Sequence, residues 1–404
     1  MNMIEQPAQA SRDNSLLLAL LALSCFAGAL SLRIIDPIVP EIGRDMSVAV
    51  TTVALLASAF AFPYALSQPV LGPLADAIGK ARVIKTCLFI LTVMMMLSAV
   101  APNIEILFIS RIAAGVAAGG IIPVALAMVG DRFDLAERQV ALSRLVMAAM
   151  FGQLVSAMGS GLIASLSSWR VAMAAIGCVS LVALVAMLAK LHARPQAKRQ
   201  KFTLARSKAG YADIFANPRA KFCYLAVFVE GLTIMGMLPY VATLLEARGA
   251  GGIREAGIVV AGIGIGGVVY GFLVRIMMKR LGGMFNLMRL GGLVAAAGYI
   301  IFSLQGSWQS ELLAFMIVGV GFFMIHNPLQ TQATELAPHA RGSAVALHAF
   351  FFFLGHAVGP VLYGAGFNLL GVFPVILISA AVMAALGLFT AQNLERLSTA
   401  PANG

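Results

Sequence analysis

The residues of this chain most able to do chemistry are ionisable side chains set inside apolar runs. Glu230 stands in Phe228-Val-Glu230-Gly-Leu232, about nine residues into its run. A charge at the centre of a membrane helix costs on the order of 3 kcal/mol, so such a carboxyl is rarely idle. A carboxyl that exchanges a proton near neutral pH couples to a proton gradient. An interhelix hydrogen bond, or a wetted position nearer one face, would also account for it. Arg33 and Asp36 are three residues apart, the spacing that pairs side chains on one helix face. They could serve coupling or gating, or form an interfacial ion pair with the arginine snorkelling to water. Arg111 begins another apolar run. His326-Asn327-Pro328 lies within a further run, followed by Gln330 and Gln332. Pro328 lacks a backbone donor and can bend a helix, and His326 can titrate near neutrality. His356 and Gln153 are candidate cavity groups at mid-run, and His348 shares a run with His356. For each of these, packing is the competing reading.

The elements that must position these groups follow from composition. Hydrophobic residues make up 60% of the 404 residues and charged residues 11%, against roughly 25% charged in a soluble domain. Twelve apolar runs can be marked, at roughly 15–39, 48–71, 83–101, 104–130, 140–166, 170–190, 222–245, 255–278, 284–304, 311–333, 342–366 and 371–391. Lipid offers no partner for backbone polar groups, so runs of this length must be helices. The first run, Ser15 to Val39, is too long for a signal-peptide core and lacks an A-x-A site, so it should remain as the first span. Cys25, Cys87, Cys178 and Cys223 lie in or beside these runs without metal or redox spacing, and are expected to be small buried hydrophobes.

Charge placement gives the orientation. Of the 28 Lys and Arg, all but Arg33, Arg44, Arg111, Arg170, Arg248 and Arg254 fall on the side of the N-terminus. The positive-inside rule then places both termini in the cytoplasm. It also explains the net charge of +11 without nucleic acid. The one long connector, 191–221, is basic and is expected to lie along anionic headgroups. It divides the chain into an N-terminal six-helix bundle, 1–190, and a C-terminal one, 222–404. The halves echo each other. Asp131-Arg-Phe-Asp-Leu-Ala-Glu-Arg138 follows the fourth span, and Glu335-Leu-Ala-Pro-His-Ala-Arg341 follows the tenth. Gly152, Gly159 and Gly161 in the fifth span match Gly355, Gly359 and Gly364 in the eleventh. An internal repeat of this kind marks a transporter with its substrate site between the halves.

The loop after the second span reads Gly72-Pro-Leu-Ala-Asp76-Ala-Ile-Gly79-Lys80-Ala-Arg82. It resembles the signature loop of the major facilitator superfamily, departing from it at Ala77 and Ala81. Arg111-xxx-Gly115-xxx-Gly119 is similar to that superfamily's fourth-span motif. Asp36-Pro37-Ile-Val-Pro40 resembles the first-span motif of its drug/proton antiporter branch. Ser168-Trp169-Arg170 before the sixth span is also typical. The resemblance implies an all-α membrane protein of twelve transmembrane helices, built as two pseudo-symmetric six-helix bundles. It implies that Gly72, Asp76, Gly79, Lys80, Asp131 and Arg341 form a cytoplasmic gate that latches the halves in the outward-open state. It also places Arg111 in the central cavity. Two departures count against the antiporter pattern. The fifth span has Ser156-Ala157 after Gly152 where that pattern has Gly-Pro, and Gly359-Pro360 appears in the eleventh span instead. The second-half counterpart of the loop, Gly271 to Gly282, carries Arg275 in place of the aspartate.

No P-loop, HExxH, GxSxG, metal-spaced Cys/His cluster or potassium-filter sequence occurs. The expected function is secondary transport by alternating access, with proton-coupled efflux of a small organic or drug-like molecule leading. The alternative is proton-coupled uptake of a small polar solute such as a sugar or organic acid. A transporter-like sensor or intramembrane enzyme is remote. The expected partners are the small-molecule substrate, protons and membrane lipid. Neither nucleic acid nor cofactor is expected, and a monomer in the inner membrane is.

Overall fold

The computed structural model describes residues 5–191, 211–337 and 340–399. Twelve helices among them are long and apolar enough to cross a membrane, and the described residues contain no strand. In chain order these helices are α1 (Glu5–Arg33), α2 (Val50–Ile78), α3 (Lys80–Ala99), α4 (Ile104–Arg132), α5 (Leu135–Leu166) and α6 (Trp169–Lys190). There follow α7 (Ala220–Ala247), α8 (Ile253–Leu281), α9 (Met284–Ser303), α10 (Trp308–Glu335), α11 (Arg341–Leu370) and α12 (Val372–Thr399). A short helix, Val39–Met46, joins α1 to α2. Most of the basic connector, 192–210, lies outside the described residues.

Local chemistry sets several helix starts. The side chains of Asn103, Ser168 and Ser307 accept from the backbone N–H of Ile106, Val171 and Ser310. Each relieves an orphan donor of a first helical turn. At α8, the Gly252 N–H donates to Glu255 Oε2 at 2.8 Å. The turns on the two halves match as well. Gly79 between α2 and α3 has φ +107, and Gly282 after α8 has φ +75. Residues with a Cβ rarely adopt that region.

The packing repeats with an offset of six helices. In the first half α1 packs on α5, α2 and α3 on α4, and α3 on α6. In the second half α7 packs on α11, α8 and α9 on α10, and α9 on α12. The halves meet where α2 packs on α11 and α5 on α8, themselves a repeat-related pair. Lipid supplies no hydrophobic drive between helices, so these contacts depend on close backbone approach at small residues. A Cβ added at Gly115 of α4 would run into the Phe60 carbonyl of α2, and one at Gly231 of α7 into the Phe352 carbonyl of α11.

Cys25, Cys87 and Cys223 are buried as expected, but Cys178 is exposed. It lies on the outer surface of α6 between exposed Val171 and Leu181. An apolar run is compatible with either a lipid-facing or a core-facing position.

Candidate functional site: two buried polar clusters

The first cluster grows from a break in α7. Its regular α-helix ends at Glu230, a single π-helical turn covers Gly231–Met235, and a 3₁₀ turn covers Leu238–Tyr240. A π-bulge frees a carbonyl from the helical ladder, and such bulges recur at functional sites. The freed carbonyl of Thr233 accepts from the hydroxyls of Tyr299 on α9 and Tyr363 on α11, at 2.9 and 2.8 Å. Immediately before this turn, Glu230 is fully buried. Its Oε2 lies 3.0 Å from Nδ1 of His326 on α10, and Oε1 has no hydrogen-bond partner. One proton serves that contact, carried by the carboxyl or by the imidazole. The imidazole meets Phe322 at a tilt and Phe352 edge-on, with centroids 4.8 and 5.1 Å away, and the ring of His348 on α11 at 4.9 Å. His326 keeps 16% of its side chain exposed while Glu230 keeps none. The imidazole is therefore the more accessible end of this contact.

The second cluster lies on the repeat-related elements of the first half. Arg33 ends α1, and its Nη1 lies 3.5 Å from Oδ2 of Asp36. Its Nη2 touches the Met235 sulfur in the π turn of α7. Arg111 on α4 donates from Nη1 to the Ser31 carbonyl at 3.0 Å and stacks 4.2 Å over the Phe60 ring. Its Nε and Nη2 have no hydrogen-bond partner, and neither has Asp36 Oδ1. Arg33, Asp36 and Arg111 are all buried, at 6%, 0% and 0% exposure. That rules out the snorkelling interfacial pair. Asp36 acts electrostatically on both arginines. Both arginines act in turn on His356 of α11, buried with neither ring nitrogen hydrogen-bonded.

Around these clusters the two halves are tied together toward one face. That face is the one away from the lysines. There Arg44 of the short helix bonds Glu246 of α7 at 2.7 Å, joining the halves. A Cβ at Gly161 of α5 would strike the Ile253 carbonyl of α8, and one at Gly257 of α8 the Ala157 carbonyl of α5. Nearer mid-depth, the rings of Tyr64 of α2 and Phe353 of α11 meet at a tilt, 4.0 Å between centroids. Two further ties stiffen this face. Asp45 accepts from Trp169 Nε1 and from Arg170, at 3.1 and 3.0 Å. Arg248 pairs with the buried Glu311 at the start of α10. Toward the lysine-bearing face, Arg138, Gln139, Leu142, Ser143, Val146 and Met147 of α5 line a cavity of about 540 Å³.

The expected gate residues are placed as follows. Lys80 bridges Asp76, at 3.0 Å, and Asp131. This ties the ends of α2, α3 and α4 together within the first half. Gly79 supplies the turn and Gly72 lies inside α2. Arg341 is not part of this cluster here, since it pairs with Glu335 of its own half at 3.5 Å. Asn327, next to His326 on α10, is exposed. Gln153 is half-buried on α5, on the helix face that Ser143 and Val146 turn to the cavity.

Sequence reasoning missed the π turn, the tyrosine pair on Thr233, the Arg44–Glu246 bond and the buried Arg248–Glu311 pair. Glycines at 231 and 236 with Pro239 were the available signal for the break in α7. The ion pairs left none, because their partners are far apart in sequence.

The Major Facilitator Superfamily model matches residues 21–360. Multidrug resistance protein 1 of Bacillus subtilis (strain 168) is 22% identical over 352 residues, 87% of this chain and 90% of the relative. Quinolone resistance protein NorA of Staphylococcus aureus (strain MSSA476) is 23% identical over 84% of this chain and 87% of its own. Among solved structures, a bacterial homolog of the human lysosomal transporter Spinster, in an inward-facing and unoccupied conformation, superposes with a TM-score of 0.79 at 16% identity. That match covers 96% of this chain and 99% of the other. The nucleoside transporter NupG superposes with a TM-score of 0.77 at 15% identity, over 94% and 99%.

Proposed function

The chain belongs to the major facilitator superfamily, and on that premise we propose that it is a proton-coupled exporter of a small organic molecule. The observation that carries this reading is the Glu230–His326 contact, a buried carboxyl and an imidazole at 3.0 Å beside a π turn of α7. A fully buried carboxyl that shares one proton with a more accessible imidazole has the chemistry of a coupling site. The multidrug and quinolone resistance relatives favour export over uptake.

The basic face is the cytoplasmic one by the positive-inside rule, with both termini there and the chain in the inner membrane as a monomer. The bundles 1–190 and 222–404 rock about the seams α2–α11 and α5–α8. The conformation described is then inward-open, since the far face is sealed by Arg44–Glu246 and the α5–α8 contact. In the outward-open state, Arg341 leaves Glu335 and closes on Asp76 and Asp131, latching the cytoplasmic ends. Uptake of a small polar solute is the second reading. It draws on the absent Gly-Pro in α5 and on a fold shared with a nucleoside transporter.

The test uses everted vesicles energised by respiration, with a pH-sensitive dye inside and a chemically diverse compound panel outside. Compound-dependent alkalinisation that needs the protein is the expected result. Silence across the panel with verified protein, together with uptake of labelled nutrients by intact cells, would establish the second reading instead.

A further inference from the structure

The cluster of the first half holds more positive charge than its own carboxylate balances. Asp36 is the one carboxylate, among the described residues, that acts on both Arg33 and Arg111. Glu230 is engaged with His326 on the other side. Two guanidinium groups buried with a single carboxylate leave one positive charge without a counter-ion, and burial makes such a charge costly. The donors around it are also incompletely used. Arg111 Nε and Nη2 have no partner, nor has either ring nitrogen of His356. Nε and Nη2 form one edge of the guanidinium plane, the edge that grips a carboxylate through two parallel hydrogen bonds. His356 lies on α11 beside Phe353, whose ring meets Tyr64 across the boundary between the halves, and it feels both arginines electrostatically. The surroundings are aromatic and apolar: Phe60 under Arg111, the Tyr64–Phe353 pair, and Met235 against Arg33.

We propose that Arg111 and His356, with Arg33 beside them, form a subsite for a carboxylate group on an amphipathic organic anion. The anion's apolar body lies against Phe60, Tyr64 and Phe353. Because the donors come from both halves, a bound carboxylate bridges the bundles. This rests on the reading of the chain as a carrier and specifies the class of molecule it carries.

The experiment is binding to the purified full-length protein in lipid nanodiscs, using three probes that share one ring: indole-3-acetate, indole-3-acetamide and tryptamine. The carboxylate should bind best. Arg111→Gln should weaken it at least about thirtyfold, the usual consequence of truncating a buried, hydrogen-bonded charge pair, and His356→Gln should weaken it less. Asp36→Asn removes the competing carboxylate and should tighten indole-3-acetate. A merely misfolded variant would instead lose it, so this second variant separates recognition from folding. Equal or tighter binding of tryptamine or the amide, or indole-3-acetate binding unchanged in folded Arg111→Gln, overturns the proposal. Its failure is distinct from failure of the exporter reading. A carrier that moves protons with cationic compounds through Glu230 keeps that reading and loses this one. Selective carboxylate binding without proton movement does the reverse.

Discussion

The helices α1 and α4 in the first half and α7 and α10 in the second occupy equivalent places in the repeat. Both pairs bring a small set of ionisable groups to the centre of the molecule. In the first half the set is Arg33, Asp36 and Arg111, fixed charges with unused donors. In the second it is Glu230 and His326, with His348 beside them, a carboxyl in contact with an imidazole. The scaffold therefore repeats while the residue chemistry divides; under the function proposed above, one half holds the charged ligand and the other exchanges the proton. His356 lies at the seam. It belongs to α11 of the second half and feels the arginines of the first.

The division predicts separable losses. Arg111→Gln should abolish recognition by the thirtyfold margin given above while leaving the Glu230–His326 contact intact. Glu230→Gln should do the opposite. Removing a charged hydrogen-bond partner is worth about 1.5–3 kcal/mol, so proton-coupled flux should fall at least about tenfold while substrate affinity stays within about twofold. Flux with and without a pH gradient in proteoliposomes, set beside equilibrium binding, reads both. If Glu230→Gln lost affinity and kept coupling, the division between halves would be wrong.

The shared scaffold predicts matched losses instead. Gly115→Val on α4 and Gly231→Val on α7 each drive a side chain into a facing carbonyl, of Phe60 and of Phe352. Overpacking of this kind costs about 1–3 kcal/mol. Thermal unfolding in nanodiscs should fall for both by similar amounts. A large drop for one and none for the other would show that close approach matters in one half alone.

How far this was legible in the sequence follows the same line. The twelve helices and their two-fold repeat were readable because lipid enforces long apolar runs and short turns. The Asp76–Lys80–Asp131 cluster was readable through the signature loop. Glu230 stood out as a carboxylate in an apolar run, and Arg33 with Asp36 by their spacing. The partnership of Glu230 with His326, and the reach of the arginines' charge to His356, were not legible. They depend on the approach of α10 and α11 to helices far away in the chain. Asn327 shows the limit most clearly. It is one residue from His326, but a helix rotates about 100° per residue, so the two side chains face different neighbours. For the π turn the local signal was only Gly231, Gly236 and Pro239; the hydroxyls of Tyr299 and Tyr363 that bond it, and the approach of α11, are not local.

That turn gives a smaller test. Thr233 accepts from two hydroxyls, so Tyr299→Phe or Tyr363→Phe alone leaves it one partner. Each should cost about 0.5–1.5 kcal/mol. The double change leaves a buried carbonyl without a donor and should cost more than the sum of the singles. Additive losses in thermal stability would mean that water or another donor replaces the hydroxyls, and that the π turn does not depend on them.

The smallest effect concerns the seal that keeps the two clusters facing each other. Arg44–Glu246 joins the halves on the face away from the lysines, with 62% and 27% of the two side chains exposed. An exposed pair is worth at most about 1 kcal/mol, about a fivefold shift between two conformations. Arg44→Glu should therefore raise the far-face-open population no more than about fivefold. The double exchange Arg44→Glu with Glu246→Arg should restore it, because the pair acts through charge and not through packing. Spin labels at Val50 and Leu370, at the far-face ends of α2 and α11, would read the two populations as distances. A larger shift from Arg44→Glu alone would mean that the seal rests on this bond more than on the glycine contact of α5 with α8. The fixed-charge half would then control opening as well as recognition.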